Sequence, residues 1–156
     1  MITPPNHPQE QARLDSLYAH QILDTGADQS FDDLAQLAAQ LCGVPVALVS
    51  LVDKDRQWFK ARVGMDLMET NRDVSFCAHA ICEDQTFVVE DATKDKRFHD
   101  NPLVAGEDGI RFYAGAKVCD DKGLPMGTLC IIDNKPHTFS GEQKHQLEQL
   151  ANQASR

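Results

Sequence analysis

The segment Arg72-Asp-Val-Ser-Phe-Cys-Ala-His-Ala-Ile-Cys82 brings two thiols and an imidazole close together in the chain. Asp73 or Ser75 can cap a short helix running to about Cys82. Cys77 then lies in the first turn, where unpaired N–H groups and the positive dipole end favour a thiolate. The competing reading is a small apolar side chain facing a sheet. Spacing limits the chemistry further. Cys77 and Cys82 would be about 8.6 Å apart at Cα in a regular helix, beyond the roughly 7 Å that a disulfide spans. A redox partner for Cys77 must therefore be Cys119, Cys130 or a second chain. His79 is turned about 200° from Cys77, so the two form neither a catalytic pair nor one metal site. No second pair completes a metal site and no metal is expected. His79 itself reads as a partly buried, hydrogen-bonded histidine.

Further along, Asp91 is followed by Arg97, Phe98 and His99, and Arg111, Phe112 and Tyr113 open the next apolar stretch. Cationic and aromatic groups over a sheet can hold a small anionic or planar ligand. The alternative is an Asp/Arg network that pins a long loop. The candidate ligand-binding residues are Phe76, Cys77, Asp91, Arg97, Phe98, His99, Arg111 and Phe112. No G-x-x-x-x-G-K-[ST], G-x-G-x-x-G, H-E-x-x-H or G-x-S-x-G occurs, which removes the commonest nucleotide, zinc-protease and α/β-hydrolase readings. With no complete catalytic motif and no cofactor signature, the chain is read as non-enzymatic.

These residues need elements to position them. Residues 9–23 carry Leu14, Leu17, Tyr18 and Ile22 on one helical stripe, broken at Thr25 and Gly26. Ser30 and Asp33 form a capping-box pattern ahead of a second helix bearing Phe31, Leu34, Ala35, Ala38, Leu41 and Cys42, stopped by Gly43 and Pro45. Residues 44–53 are apolar on both alternating faces, as in a central strand. In residues 58–64, Phe59, Ala61 and Val63 alternate with Lys60 and Arg62, which predicts one wet face. Residues 65–73 read as loop, 86–90 as a short strand, and 91–109 as a long polar loop of the functional kind. Strands are expected around Asp120-Asp-Lys-Gly123, a hairpin turn, and Ser140-Gly-Glu-Gln143 caps a last helix. Tight hairpins make neighbouring strands antiparallel. The fold class is α+β, a central antiparallel sheet of five or six strands with helices on both faces.

A chain of 156 residues, 42% apolar and 25% charged, suits one globular domain. Residues 1–8 are expected to fray, leaving a single domain over 9–156. Fifteen Lys and Arg against 24 Asp and Glu give a net charge of −9. That balance argues against nucleic acid and anionic membrane surfaces as partners. Five cysteines at irregular spacing, without an export signal, point to reduced thiols in the cytoplasm. In the last helix Leu147, Leu150, Ala151 and Ala154 form a narrow stripe. It suits either packing on the domain's own sheet or a two-helix seam with the first helix in a homodimer. No Gly or Pro terminates the stripe, so the helix is expected to continue into a linker.

In order along the chain, Ile22-Leu-Asp-Thr25, Phe31-Asp-Asp-Leu34, residues 46–53, Arg56-Gln-Trp-Phe-Lys60, residues 72–81, Asp91, Asp95, Arg97-Phe98, Asn101-Pro-Leu-Val104, residues 110–115 and Gly127 to Asp133 resemble a GAF domain of the bacterial sensor type. The resemblance covers nearly the whole chain. It implies a GAF/PAS-like sheet with a ligand cavity under residues 91–109. It also implies terminal helices that mediate dimers and relay a signal to a linked output domain, such as a diguanylate cyclase or histidine kinase. The N-K-x-F-D-E pattern of cyclic-nucleotide-binding relatives is missing, and Ala78 rather than His follows Cys77, so neither cyclic nucleotide nor covalent bilin is implied. The family's other readings are a free methionine-R-sulfoxide reductase-like thiol enzyme and a dimerisation scaffold without ligand.

Overall fold

The structure, a computed structural model, describes residues 1–155. The elements run α1 (Glu10–Ala19), α2 (Gln29–Cys42), β1 (Val46–Val52), β2 (Arg56–Val63), β3 (Glu69–Asn71), α3 (Phe76–Ala80), β4 (Phe87–Val89), β5 (Phe112–Cys119), β6 (Pro125–Asp133) and α4 (Gly141–Ala154). One six-stranded antiparallel sheet has the order β3-β2-β1-β6-β5-β4. The α+β expectation holds, with helices on both faces.

The two faces differ in chemistry. On the first, α2 and α4 pack small and branched residues such as Ala35, Ala38, Leu147 and Ala151 against Ala47, Val49, Ala114, Ala116, Leu129 and Ile131. Leu14 and Leu17 of α1 extend this face over Leu51, Trp58 and Met126. The second face carries α3 and residues 91–109. There Leu48, Val52, Phe59, Tyr113, Cys130 and Ile132 of the sheet meet Phe76, Cys77, Phe98 and Val104. Leu14 and Leu17 of the α1 stripe and Leu147, Ala151 and Ala154 of the α4 stripe are buried on their own sheet, whereas Tyr18 of the α1 stripe is exposed.

Several local expectations are corrected. α1 stops at Ala19, because Gln21 and Asp24 take positive φ values of 53° and 60°. Asp28 rather than Ser30 caps α2, accepting from the Ser30 N–H at 2.9 Å. Leu41 lies outside the α2 stripe and is exposed. Gly43 does end the helix, at φ 64° in the left-handed region. In β2, Val49 pairs with Ala61 while Ser50 pairs with Phe59, so Lys60 is the extra residue of a bulge. The bulge sends Phe59 to the loop face and Ala61 to the helix face. Lys60 is nearly buried and donates to Thr25 Oγ1 at 2.8 Å. The stretch read as loop after Gly64 contains the edge strand β3. Ser140 and Gln143 form the reciprocal cap expected for α4.

Among the ties of the N-terminal region to the sheet, one carboxylate joins two buried guanidiniums. Glu10 accepts from Arg13 Nε at 3.0 Å and from Arg72 Nη1 at 2.5 Å. Arg13 is fully buried and also donates to the Val52 carbonyl at 2.6 Å, and Arg72 donates to the Asp53 carbonyl at 2.9 Å. Residues 1–8, expected to fray, run instead across α3. Ile2 N–H donates to the Arg97 carbonyl at 3.2 Å, and His79 Nε2 lies 3.1 Å from the Ile2 carbonyl. Burial alone would push the Glu10 carboxyl up, but the hydrogen bonds from Arg72 and Arg13 hold it at about 2, against an ordinary 4.5. Its contribution to stability is therefore complete above the ordinary value and is lost as pH falls through about 2. Glu10→Gln is expected to cost about 2 kcal/mol near neutrality, as lost charge-assisted hydrogen bonds. It should also flatten the acid limb of stability between those two pH values, as read by denaturant unfolding at stepped pH.

Candidate functional site

The face under residues 91–109 buries polar side chains where a sheet core is ordinarily apolar. Ser75 caps α3, its Oγ accepting from Ala78 N–H at 3.0 Å, and donates to Gln57 Oε1 at 2.7 Å. Ser50 Oγ reaches the same oxygen at 3.2 Å, and Gln57 Nε2 donates to Thr70 Oγ1 at 2.6 Å. The cap fixes the direction of α3 and so aims Cys77 at the sheet. Its sulfur accepts from Thr128 Oγ1 at 3.0 Å and from the Tyr113 hydroxyl at 3.2 Å, and lies 3.8 Å from Cys130 Sγ. All three partners come from β5 and β6.

Electrostatics separate the two thiols. Burial would raise the Cys77 pKa, but hydrogen bonds from Cys130, Thr128, Tyr113 and Ser50 outweigh it and bring the thiol well below its ordinary value. Burial and the neighbouring Cys77 push Cys130 far up. Burial does the same to Tyr113, which stays a phenol and a donor. The two hydroxyl donors, Thr128 and Tyr113, both point at Cys77. Beside it lies a cavity of about 30 Å³, walled by Leu48, Phe59, Phe76 and Ile132 and floored by Gln57, Thr70, Cys77 and Tyr113. That is room for about one water molecule.

Aromatic rings close the cavity. Phe76 stacks on Phe98 with centroids 4.0 Å apart and planes 7° apart, and Tyr113 sits 5.2 Å from Phe76. Arg97 lies over Phe87 at 4.7 Å and is held by Asp95 at 2.8 Å. Arg111 donates to the carbonyls of Val104 and Gly106, each at 2.5 Å, pinning the loop. Asn101 is buried and donates to the Val74 carbonyl at 3.1 Å, which joins the loop to the approach to α3.

Of the candidate residues, Phe76 and Cys77 line the cavity, Phe98 stacks on the Phe76 ring, and Arg97 lies over the rings of Phe87 and Phe98. The others serve differently. Phe112 lies on the helix face, packed 5.2 Å from His137 and 5.6 Å from Phe139, because strand alternation gives the cavity to Tyr113. His99 is exposed. Asp91 caps a turn, accepting from Thr93 N–H at 3.0 Å. Arg111 holds backbone rather than facing the cavity. Sequence reasoning missed Ser50, Gln57, Thr70, Thr128 and Tyr113 as site residues. For Ser50 and Thr128 the available signal was a polar side chain inside an otherwise apolar strand.

A family model describing the GAF domain matches residues 27–156. The chain belongs to the GAF domain family. It is 45% identical over 136 residues to a protein of Pseudomonas aeruginosa named cyclic di-GMP phosphodiesterase, a match covering 87% of this chain and 23% of the relative. The chain thus spans about a quarter of that relative's length. Among solved structures it is similar to the GAF domain of a phosphoenolpyruvate-protein phosphotransferase from Acinetobacter, with TM-score 0.69, 20% identity, and coverage of 95% of this chain and 91% of that one. It is also similar to the type II free methionine-R-sulfoxide reductase of Thermoplasma acidophilum, with TM-score 0.64, 15% identity, and 92% of each chain covered. At these identities the likenesses establish the fold.

Two substitutions test the geometry. A Cβ on Gly115 would collide with the Tyr113 hydroxyl and its ring. Gly115→Ala is therefore expected to destabilise by roughly 1–3 kcal/mol and to alter the near-ultraviolet tyrosine dichroism. Thr128→Val removes one donor to Cys77, so the Cys77 thiolate should form at higher pH than in the parent chain, as followed by thiolate absorbance.

Proposed function

We propose that this GAF domain is a regulatory module and not itself a catalyst. In this reading a small molecule entering the cavity beside Cys77 changes α3, and the change passes through Arg72 to Glu10 and α1. The observation that carries the reading is the buried polar cluster of Gln57, Ser50, Ser75, Thr70, Thr128, Tyr113 and Cys77. Burying such groups costs free energy unless every one is paired, and packing alone gives no reason for them. Apolar walls over a polar floor suit a small, mostly apolar molecule with one hydrogen-bonding group. Anything larger than a few atoms requires residues 91–109 to open.

The curated relative's name makes a cyclic di-GMP-hydrolysing module the output that suits this domain, in place of the diguanylate cyclase or histidine kinase first expected. A cytoplasmic homodimer belongs to the same reading. It would use faces of α1 and α4 other than their buried stripes. The small size of the cavity favours a second reading, a scaffold whose Phe76, Phe98 and Tyr113 fill the site and which binds nothing.

Nuclear magnetic resonance of the isotope-labelled chain against a library of small metabolites separates the two. The regulatory reading predicts shifts at Tyr113, Thr128 and Cys77 that extend to α1. A library-wide absence of shifts contradicts it and supports the scaffold.

A further inference from the structure

We propose that Cys77 and Cys130 form a hydroperoxide-sensitive dithiol, with Cys77 as the attacking thiol and Cys130 as the resolving one. Four observations support it. The two sulfurs lie 3.8 Å apart. Cys77 lines the cavity of about 30 Å³, which suits an oxidant little larger than water, whereas Cys130 does not. Thr128 and Tyr113 point hydroxyl donors at the Cys77 sulfur, at 3.0 and 3.2 Å. The remaining cysteines are elsewhere: Cys42 packs on the helix face, Cys82 lies against Pro5 and Ala78, and Cys119 ends β5.

The chemistry balances with hydrogen peroxide as the only co-reactant. The Cys77 thiolate attacks one peroxide oxygen and the O–O bond breaks. Cys77 becomes a sulfenic acid, and the departing hydroxide takes up the proton that Cys77 released on ionising. Cys130 then attacks the Cys77 sulfur. The S–O bond breaks, an S–S bond forms, and hydroxide leaves as water with the Cys130 proton. Two thiols and one peroxide yield one disulfide and two waters. The Thr128 and Tyr113 hydroxyls are placed to donate to the departing oxygen.

Forming the bond requires the sulfurs to close from 3.8 Å to about 2.05 Å. Cys130 lies on β6, hydrogen-bonded to β1 and β5 on either side. Cys77 lies on the five-residue helix α3. The helix is the part that moves, and it draws residues 72–75 with it. That movement reaches Glu10 of α1 through Arg72. This last consequence rests on the regulatory reading, whereas the oxidation itself does not.

The test is non-reducing peptide mass mapping of the folded chain after hydrogen peroxide treatment. The expected product is a Cys77–Cys130 linked peptide lighter by two hydrogens and restored by dithiothreitol. In Cys130→Ser, Cys77 should stop as a dimedone-reactive sulfenic acid, and Thr128→Val should oxidise several-fold more slowly. Oxidation at Cys82 or Cys119 with Cys77 and Cys130 still reduced would overturn the proposal. So would linkage that appears only after unfolding. The parent chain alone decides this, so a variant that fails to fold does not. Backbone resonances of α1 recorded on the oxidised chain separate the two readings. A disulfide with α1 unchanged leaves the dithiol standing and defeats the regulatory relay, while absence of the disulfide defeats the dithiol alone.

Discussion

Glu10 holds two guanidiniums that this fold buries. Arg13 is wholly out of solvent and Arg72 nearly so, and a buried charge without a counter-ion is strongly unfavourable. One carboxylate bonds to both, Arg13 also donates to the Val52 carbonyl, and Arg72 Nη1 also reaches the carbonyls of Asp53 and Lys54. Those carbonyls belong to the end of β1 and the turn into β2. A single ionic cluster therefore fixes α1, the β1–β2 turn and the residues that lead into α3. Removing the carboxylate would leave both guanidiniums with only backbone carbonyls as partners.

The same cluster borders the site. Arg72 accepts the Ser75 N–H at its carbonyl, 3.0 Å away, and Ser75 both caps α3 and bonds Gln57. Cys77 follows two residues later. Contact is thus continuous from the sulfur cluster to α1. The opposite face is built otherwise. Ala35, Ala38, Ala47, Ala114 and Ala116 let α2 and α4 lie close on the sheet with no buried charge among them. Close apolar packing of that kind resists small displacements. The loop face combines a five-residue helix, stacked aromatic rings and a loop pinned by Arg111 and Asn101.

Much of this was legible in the sequence. Hydrophobic period placed α2 and the central strand β1, the Asp120-Asp-Lys-Gly123 turn placed the β5–β6 hairpin, and the Ser-x-x-Gln pattern placed the Ser140 cap. Two-faced apolarity of residues 44–53 put a strand inside the sheet, where β1 lies. What failed was local geometry that only tertiary pairing creates. The Lys60 bulge inverted the face of Ala61, because a period of two cannot register an inserted residue. Phe112 and Tyr113 are equally aromatic, and only alternation along β5 with Gly115 assigns the tyrosine to the cavity. Asp91, Arg111 and His99 matched the chemistry of a ligand site, yet two of them bond to loop backbone and the third faces water. Cys77 was singled out by its place at the start of a helix, and Cys130 was one of three possible partners until the fold brought it within 3.8 Å. The long-range Arg72–Glu10 pair has no local signal at all.

The claim at the centre of this account is that α1 reads the state of the Cys77 cluster through Arg72 and Glu10. Native-state hydrogen exchange of the parent chain and of Cys77→Ala tests it most directly. The account predicts altered protection of the α1 amides, with those of α4 unchanged because its apolar packing lies across the sheet. Unaltered α1 protection, or equal changes in both helices, would contradict it.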